Sequence, residues 1–156
     1  MNLKGYFDGG CWGNPYGKTG YGWVVSDDGY FNAHGFGYLG KGDRMSNNSG
    51  EYMGLFRMLE YLKSKGMTKE RIVVHGDSKL VVMQMDGHWR VKDGIYVWAF
   101  QKAYLMSKEF KNLKFKWVPR YKNVYADSLS SRAIREESKD TIIEKPVEES
   151  EVKALC

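Results

Sequence analysis

Apolar side chains at Tyr52, Leu55, Phe56, Leu59 and Leu62 recur three and four residues apart, which places them on one stripe of a helix. That helix is expected to start at Asn48 and to stop at Lys65-Gly66, a basic last turn followed by a glycine. Before it the pattern is different. Residues 3–7, 20–26 and 30–38 are short aromatic and β-branched runs, separated by Gly13-Asn14-Pro15 and by Asp28-Gly29, which predicts three antiparallel strands.

Beyond the helix, Ile72, Val73 and Val74 predict a short buried strand running into Gly76-Asp77-Ser78. Leu80, Val81, Met83 and Gln84 then predict a brief helix ending near Gly87. Residues 95–110 carry helical spacing through Val97, Trp98, Tyr104, Leu105 and Met106. Leu113, Phe115 and Trp117 alternate as a strand, and residues 124–135 form a last helix. The expected architecture is α/β: a five-stranded mixed sheet, three antiparallel strands followed by two more, flanked by helices.

A chain of 156 residues builds one domain with a real core and leaves too little for a second. Its net charge of +5 conceals an asymmetry. Residues 136–156 hold seven acidic and three basic side chains, a charge of −4, so residues 1–135 carry +9. Charge is dense past Arg135, Pro146 breaks any helix, and the expected division is a folded domain over 1–135 with an acidic, flexible tail over 136–156. Ile142-Ile143 is the one tail segment apolar enough to dock back on the core. The tail either tempers the basic surface, binds a partner or is a plain solvated extension.

A basic domain suits a polyanion. Cys11 and Cys156 form neither a disulfide framework nor a zinc spacing, as expected for a reducing cytoplasm. No run reaches membrane-spanning length, so no membrane partner is expected. A monomer without a small-molecule cofactor is the expectation.

Chemistry concentrates at four acids: Asp8 in Tyr6-Phe7-Asp8-Gly9-Gly10, Glu51 after Asn47-Asn48-Ser49-Gly50, Asp77 in His75-Gly76-Asp77-Ser78, and Asp127 after Asn123-Val124-Tyr125-Ala126. Singly, each has a plain structural reading: a strand-end turn for Asp8, a first-turn helix charge for Glu51, an N-cap for Asp77, a solvated face for Asp127. Gathered, they would repel one another without a divalent cation. His34, His75 and His88 have no metal-ligand spacing and are assigned no catalytic role.

In order and context these four motifs resemble type 1 ribonuclease H over about residues 3–135. Gly5-Tyr6-Phe7-Asp8-Gly9, Glu51-Tyr52-Met53-Gly54-Leu55 and Gly87-His88-Trp89-Arg90-Val91-Lys92 resemble its archaeal-like subgroup, which lacks the basic protrusion. The resemblance implies a ribonuclease H-like fold and a metal-dependent endonuclease that hydrolyses the RNA strand of RNA–DNA hybrids, leaving 5′-phosphate and 3′-hydroxyl ends. It implies two Mg²⁺ ions, with Mn²⁺ a possible substitute: Asp8 bridges both, Asp127 adds to the nucleophile metal, and Glu51 and Asp77 hold the leaving-group metal.

The resemblance also implies substrate contacts. Gly13, Asn14, Asn47, Asn48 and Glu51 approach the RNA strand, and Asn14, Arg44 and Ser46 form a pocket for a DNA phosphate. Lys79 stands where glutamine is common and Trp89 lies against a nucleic-acid backbone or packs on the core. Where many type 1 enzymes place a loop histidine, this chain has Trp117-Val118-Pro119-Arg120-Tyr121-Lys122-Asn123. Arg120 cannot be a general base; it either assists turnover electrostatically or holds a more distant phosphate. Tyr16 follows Pro15 where the family usually has glycine.

Overall fold

The computed structural model describes residues 1–27 and 32–145. The turn expected at Asp28-Gly29, the first residues of the third strand, Pro146 and Cys156 lie outside the described residues. The elements run β1 (Asn2–Trp12), β2 (Lys18–Ser26), β3 (Asn32–Gly40), α1 (Asn47–Ser64), β4 (Arg71–Gly76), α2 (Lys79–Met85), α3 (Val97–Ser107), β5 (Asn112–Trp117), α4 (Val124–Glu136) and β6 (Thr141–Lys145), with a 3₁₀ turn at Arg120–Lys122.

The sheet has the order β5-β4-β1-β2-β3-β6. β1, β2 and β3 are joined antiparallel, as short turns require, whereas β4 runs parallel to β1 and β5 parallel to β4. Parallel neighbours need a crossover. α1 carries the chain from β3 across the sheet to β4, beside β1, and the α2–α3 pair supplies the crossover between β4 and β5.

The strand count corrects the expectation of five. Thr141–Lys145, placed by its charge in a solvated tail, pairs antiparallel with β3 from Asn32↔Lys145 to Phe36↔Thr141. An edge strand needs backbone partners more than a fully apolar sequence. The turn from α4 is secured by the Ser138 N–H donating to Ala133 O (3.1 Å) and the Tyr38 N–H to Ser138 O (2.7 Å). Ile142-Ile143 therefore docks through its main chain, while both side chains remain exposed.

Ser46 starts α1: its hydroxyl accepts the Ser49 N–H at 3.1 Å. α1 is 18 residues long, and a helix in a protein draws most of its stability from tertiary packing. Tyr52, Leu55, Met58, Leu59 and Leu62 stabilise it by packing into one cluster with Leu3, Phe7, Trp23, Ile72 and Val74, each such side chain contributing about 1.5–3 kcal/mol. α4 takes the opposite sheet face, where Leu129 and Ala133 meet Phe36. Helices thus lie on both faces of the sheet. Among the described residues no helix is long and apolar enough to cross a membrane.

Candidate active site

β1 and β4 pair in a register whose last partners are Phe7 and Gly76. The next residue of each chain is therefore a carboxylate, Asp8 on β1 and Asp77 just past β4, side by side where β4 ends and β1 continues to Trp12. Glu51 arrives from α1. Its carboxylate accepts the N–H of Gly9, a β1 group that lies beyond the end of β4.

Close approach of helix and strand makes this possible. A Cβ on Gly9 would lie 2.1 Å from the Gly50 carbonyl carbon and 2.2 Å from the Glu51 nitrogen, so only glycine fits. Gly22, the β2 partner of Asp8, does the same on the other face. A Cβ there would meet Ala126 O and Leu129 Cβ at 2.6 Å, and its absence lets α4 bring Asp127 over the sheet.

Oxygens of Asp8, Glu51 and Asp77 lie within 4.8 Å of one another. Asp127 stands outside this trio, in the first turn of α4, on the wall of the same cleft and close enough to Asp8 to interact with it. The cleft encloses about 410 Å³, and Asn47, Asn48, Ser78 and Arg120 also line it.

Two of the plain readings of single acids fit this geometry poorly. Ser78, not Asp77, caps α2, accepting the Val81 N–H at 3.3 Å. Glu51 is buried, unlike a solvated helix charge.

Burial and mutual repulsion set the electrostatics. Desolvation, then the negative charge of Asp77, pushes the Asp8 carboxyl up to about 8. Burial followed by Asp8 and Asp77 drives Glu51 well above the carboxylate range. Asp77 is raised too, by burial first, opposed by a hydrogen bond from Asn123 and by the charge of Arg120. Three carboxylates held this close retain a proton unless a cation replaces it. Glu51 Oε2 is buried without a hydrogen-bond partner, an orphan lone pair of the kind a metal satisfies. The hard oxygen donors fit Mg²⁺ or Mn²⁺.

A family model described as reverse transcriptase-like matches residues 6–133. Ribonuclease HI of Halobacterium salinarum is 36% identical over 133 residues, 85% of this chain and 64% of that protein. The crystal structure of RNase H1 from the same archaeon superposes with a TM-score of 0.76 at 32% identity, covering 87% of this chain and 99% of that one.

The chain belongs to the type 1 ribonuclease H family.

Two further relatives carry the same domain. The bifunctional protein Rv2228c of Mycobacterium tuberculosis is 38% identical over 129 residues, 81% of this chain, and the chain spans only 34% of that relative's length. LC11-RNase H1, solved in complex with RNA/DNA hybrid, gives a TM-score of 0.74 at 33% identity, covering 86% of this chain and 97% of that one.

Other residues that ribonuclease H membership draws attention to lie around the cleft. Asn47 Oδ1 accepts the Cys11 N–H at 2.8 Å and Asn14 Oδ1 accepts the Asn47 N–H at 2.9 Å, tying the β1–β2 turn to the start of α1. Each amide oxygen is thus engaged, so the outward-facing function of both side chains is their NH₂ donors. Gly13 sits in that turn at φ +88°, and Tyr16, where the family favours glycine, adopts φ +78° with its N–H bonded to Met45 O at 2.8 Å.

Arg44 is exposed, and its guanidinium lies 4.2 Å over the Trp98 ring, whose Nε1 donates to Arg44 O at 3.0 Å. The Ser46 hydroxyl is buried and occupied with Ser49. Lys79 is exposed, 6.0 Å from the Trp117 ring centre. Trp89 is exposed rather than packed in the core, and lines a separate cleft of about 390 Å³ with Arg90 and Lys92.

Two positioning groups went unassigned in the sequence. Asn123 Nδ2 donates both to Phe7 O (2.9 Å) and to Asp77 Oδ2 (3.1 Å), and Trp117 Nε1 donates to Asp77 O (3.1 Å). The only hint was that Asn123 lies four residues, one helical turn, before Asp127.

Proposed function

We propose that this protein hydrolyses the RNA strand of RNA–DNA hybrids in a divalent-metal-dependent reaction, releasing 5′-phosphate and 3′-hydroxyl ends. The observation that carries the reading is the carboxylate trio with the unpartnered, buried Glu51 Oε2 at the floor of an open cleft. When bound, a pair of Mg²⁺ ions supplies charge neutralisation at the scissile phosphate and lowers the pKa of an attacking water. Asp8, which lies near both Asp127 and the Glu51–Asp77 pair, would be the ligand shared by the two ions, and Asp127, Glu51 and Asp77 would complete the set that holds them. Mn²⁺ is the natural substitute.

The chain's own residues orient the substrate. The NH₂ groups of Asn14 and Asn47 donate to 2′-hydroxyls, which mark RNA among the two strands; Gly13 and Asn48 shape the same wall. Arg44, held flat by Trp98, receives a phosphate of the DNA strand near Ser46. Lys79 and Trp89 extend the contact to flanking backbone. Arg120 faces Asp77 across the cleft, and we assign it to the charge that develops on the phosphate during cleavage. The cytoplasm is the proposed compartment, and a monomer the proposed form.

The test is cleavage of end-labelled hybrid, duplex RNA, single-stranded RNA and duplex DNA with Mg²⁺, Mn²⁺ or chelator, with Asp8→Asn as control. Metal-dependent cutting of the hybrid's RNA strand, absent in Asp8→Asn, is expected. Binding without cutting would replace the reading with a hybrid-binding module, and preferential cutting of another duplex would overturn the substrate.

A further inference from the structure

One half of a sheet face has no helix over it. Leu3, Phe7, Ile72 and Val74 point into the core under α1, with Leu113 and Phe115 packed against them. By strand alternation the residues between them face the other way. Register places these in two rows across three strands: Lys4, Val73 and Lys114, then Tyr6, His75 and Lys116. This is the side occupied by α4, but α4 packs over β2 with β1 and β3, and among the described residues no helix covers β4 and β5 there.

The face is cationic along β5 and aromatic beside it, where Tyr6 is half-buried and His75 buried. Lys114 and Lys116 are exposed and, among the described residues, take part in no ion pair with a carboxylate. Tyr6 and His75 stack with ring centres 4.4 Å apart and planes 11° apart, and the His75 Nδ1 is bonded to Gly5 O at 2.9 Å, which fixes the pair as a flat platform. A cavity of about 140 Å³ adjoins Tyr6, walled by the exposed Tyr121 and Lys122 and the half-buried Tyr125.

This face is continuous with the cleft. Asp8, Tyr6 and Lys4 alternate down the same side of β1, about 6.8 Å apart in turn, and Asn123 lies between the cavity and Asp77. Edge lysines can serve only to deter strand pairing, but that purpose requires neither a stacked aromatic pair nor a cavity beside it. Cations that pair with phosphates, interleaved with rings on which bases stack, form the combination that binds single-stranded nucleic acid.

We propose that the open β1–β4–β5 face binds a single-stranded polynucleotide segment continuous with the strand held in the cleft, so that the protein prefers hybrids bearing a single-stranded RNA extension. The inference rests on the hybrid-nuclease reading above. The extension is gripped by Lys114 and Lys116 through its phosphates and by the Tyr6 platform through a base.

The test is fluorescence anisotropy, in chelator to prevent cleavage, of blunt hybrid, hybrid with a single-stranded RNA extension at either end, and the single strand alone. The extension at one end is expected to tighten binding roughly tenfold. The double variant Lys114→Gln/Lys116→Gln should lose that gain, with the salt slope for the extended hybrid falling by about 0.7 per lysine. Blunt-hybrid binding and cleavage should not change, and Lys114→Arg/Lys116→Arg should keep the gain. Equal wild-type affinity for blunt and extended hybrids, or a gain that survives in the glutamine variant, overturns the inference while leaving the nuclease reading intact. Equal competition by poly-glutamate would overturn it in favour of an acidic protein partner. If blunt hybrid is never cut, the nuclease reading fails by itself, and loss of single-strand binding in the glutamine variant would still support the face as a nucleic-acid surface.

Discussion

Tyr61, on α1, donates its hydroxyl hydrogen to the carboxylate of Glu144 on β6, 83 residues away. Lys65, one turn further along, meets the same carboxylate at 2.8 Å, and Tyr21 on β2 makes the equivalent bond to Asp140. The last strand is therefore fastened by side chains to both the helix and the sheet beneath it. Truncation after Lys139 is expected to lower the thermal midpoint by several degrees without abolishing cleavage. The Lys65 and Tyr61 bonds hold the Glu144 pKa below its usual value. A depressed carboxyl contributes stability above its unfolded pKa and loses it as pH falls through the folded one, so the gap between full-length and truncated protein should shrink below about pH 4.5. A midpoint indifferent to truncation at pH 7 would disprove the strand's contribution.

Gly9→Ala inserts a methyl where Gly50 and Glu51 already make contact. Overpacking of this kind costs about 1–3 kcal/mol, measurable by urea unfolding. Lifting the start of α1 also separates Glu51 from Asp8. A displacement near 1 Å lowers turnover roughly 100-fold, so single-turnover cleavage by Gly9→Ala should fall by that order; wild-type rates would refute the argument.

Metal binding should depend on pH in a defined direction. Without metal, burial and the neighbouring Asp77 push the Asp8 carboxyl up to about 8, from an ordinary 3.8. A raised carboxyl pKa means that the folded state binds the extra proton, so the cluster opposes folding increasingly as pH rises from about 4 through 8. A cation replaces that proton and removes the penalty. The Mg²⁺-induced rise in melting temperature should thus be larger at pH 8.5 than at pH 6, and Asp8→Asn should melt higher than wild type in chelator while losing cleavage. A Mg²⁺ effect of equal size at both pH values would contradict the assignment of the cluster as a metal site.

Arg120 and Asn123 should separate cleanly in kinetics. Arg120→Ala is expected to reduce kcat with KM nearly unchanged, because the charge acts on the transition state; a change in KM alone would leave the arginine as a remote phosphate contact. Asn123→Ala removes the donor that ties Asp77 to the β1 backbone, at a cost of about 1–3 kcal/mol in stability. Its cleavage should recover in part at high Mg²⁺, as expected when a ligand has lost its support; no recovery and no loss of stability would remove Asn123 from the site.

Much of the fold and site was legible along the chain because its determinants are local. The three- and four-residue spacing from Tyr52 to Leu62 specifies a helix wherever it packs, Leu113, Phe115 and Trp117 alternate as only a strand does, and Asp8, Glu51 and Asp77 were recognisable from their immediate neighbours. β6 was missed because the charges of Asp140 and Glu144 count as solvent-seeking in a composition, whereas their partners, Tyr21 and Tyr61, lie far away in sequence. Asn123 was missed because nothing near it shows that it faces Phe7 and Asp77.

Periodicity, turn residues and the four acidic contexts determine which elements form and what chemistry they carry, since each depends on interactions within a few residues. Tertiary structure alone decides that Phe7 pairs with Gly76, that Gly9 and Gly50 touch, and that Glu51 is buried without a partner for Oε2. Those are properties of register and close approach between distant segments. Desolvation and repulsion, which make three ordinary carboxylates a candidate metal site, exist only once those segments have met.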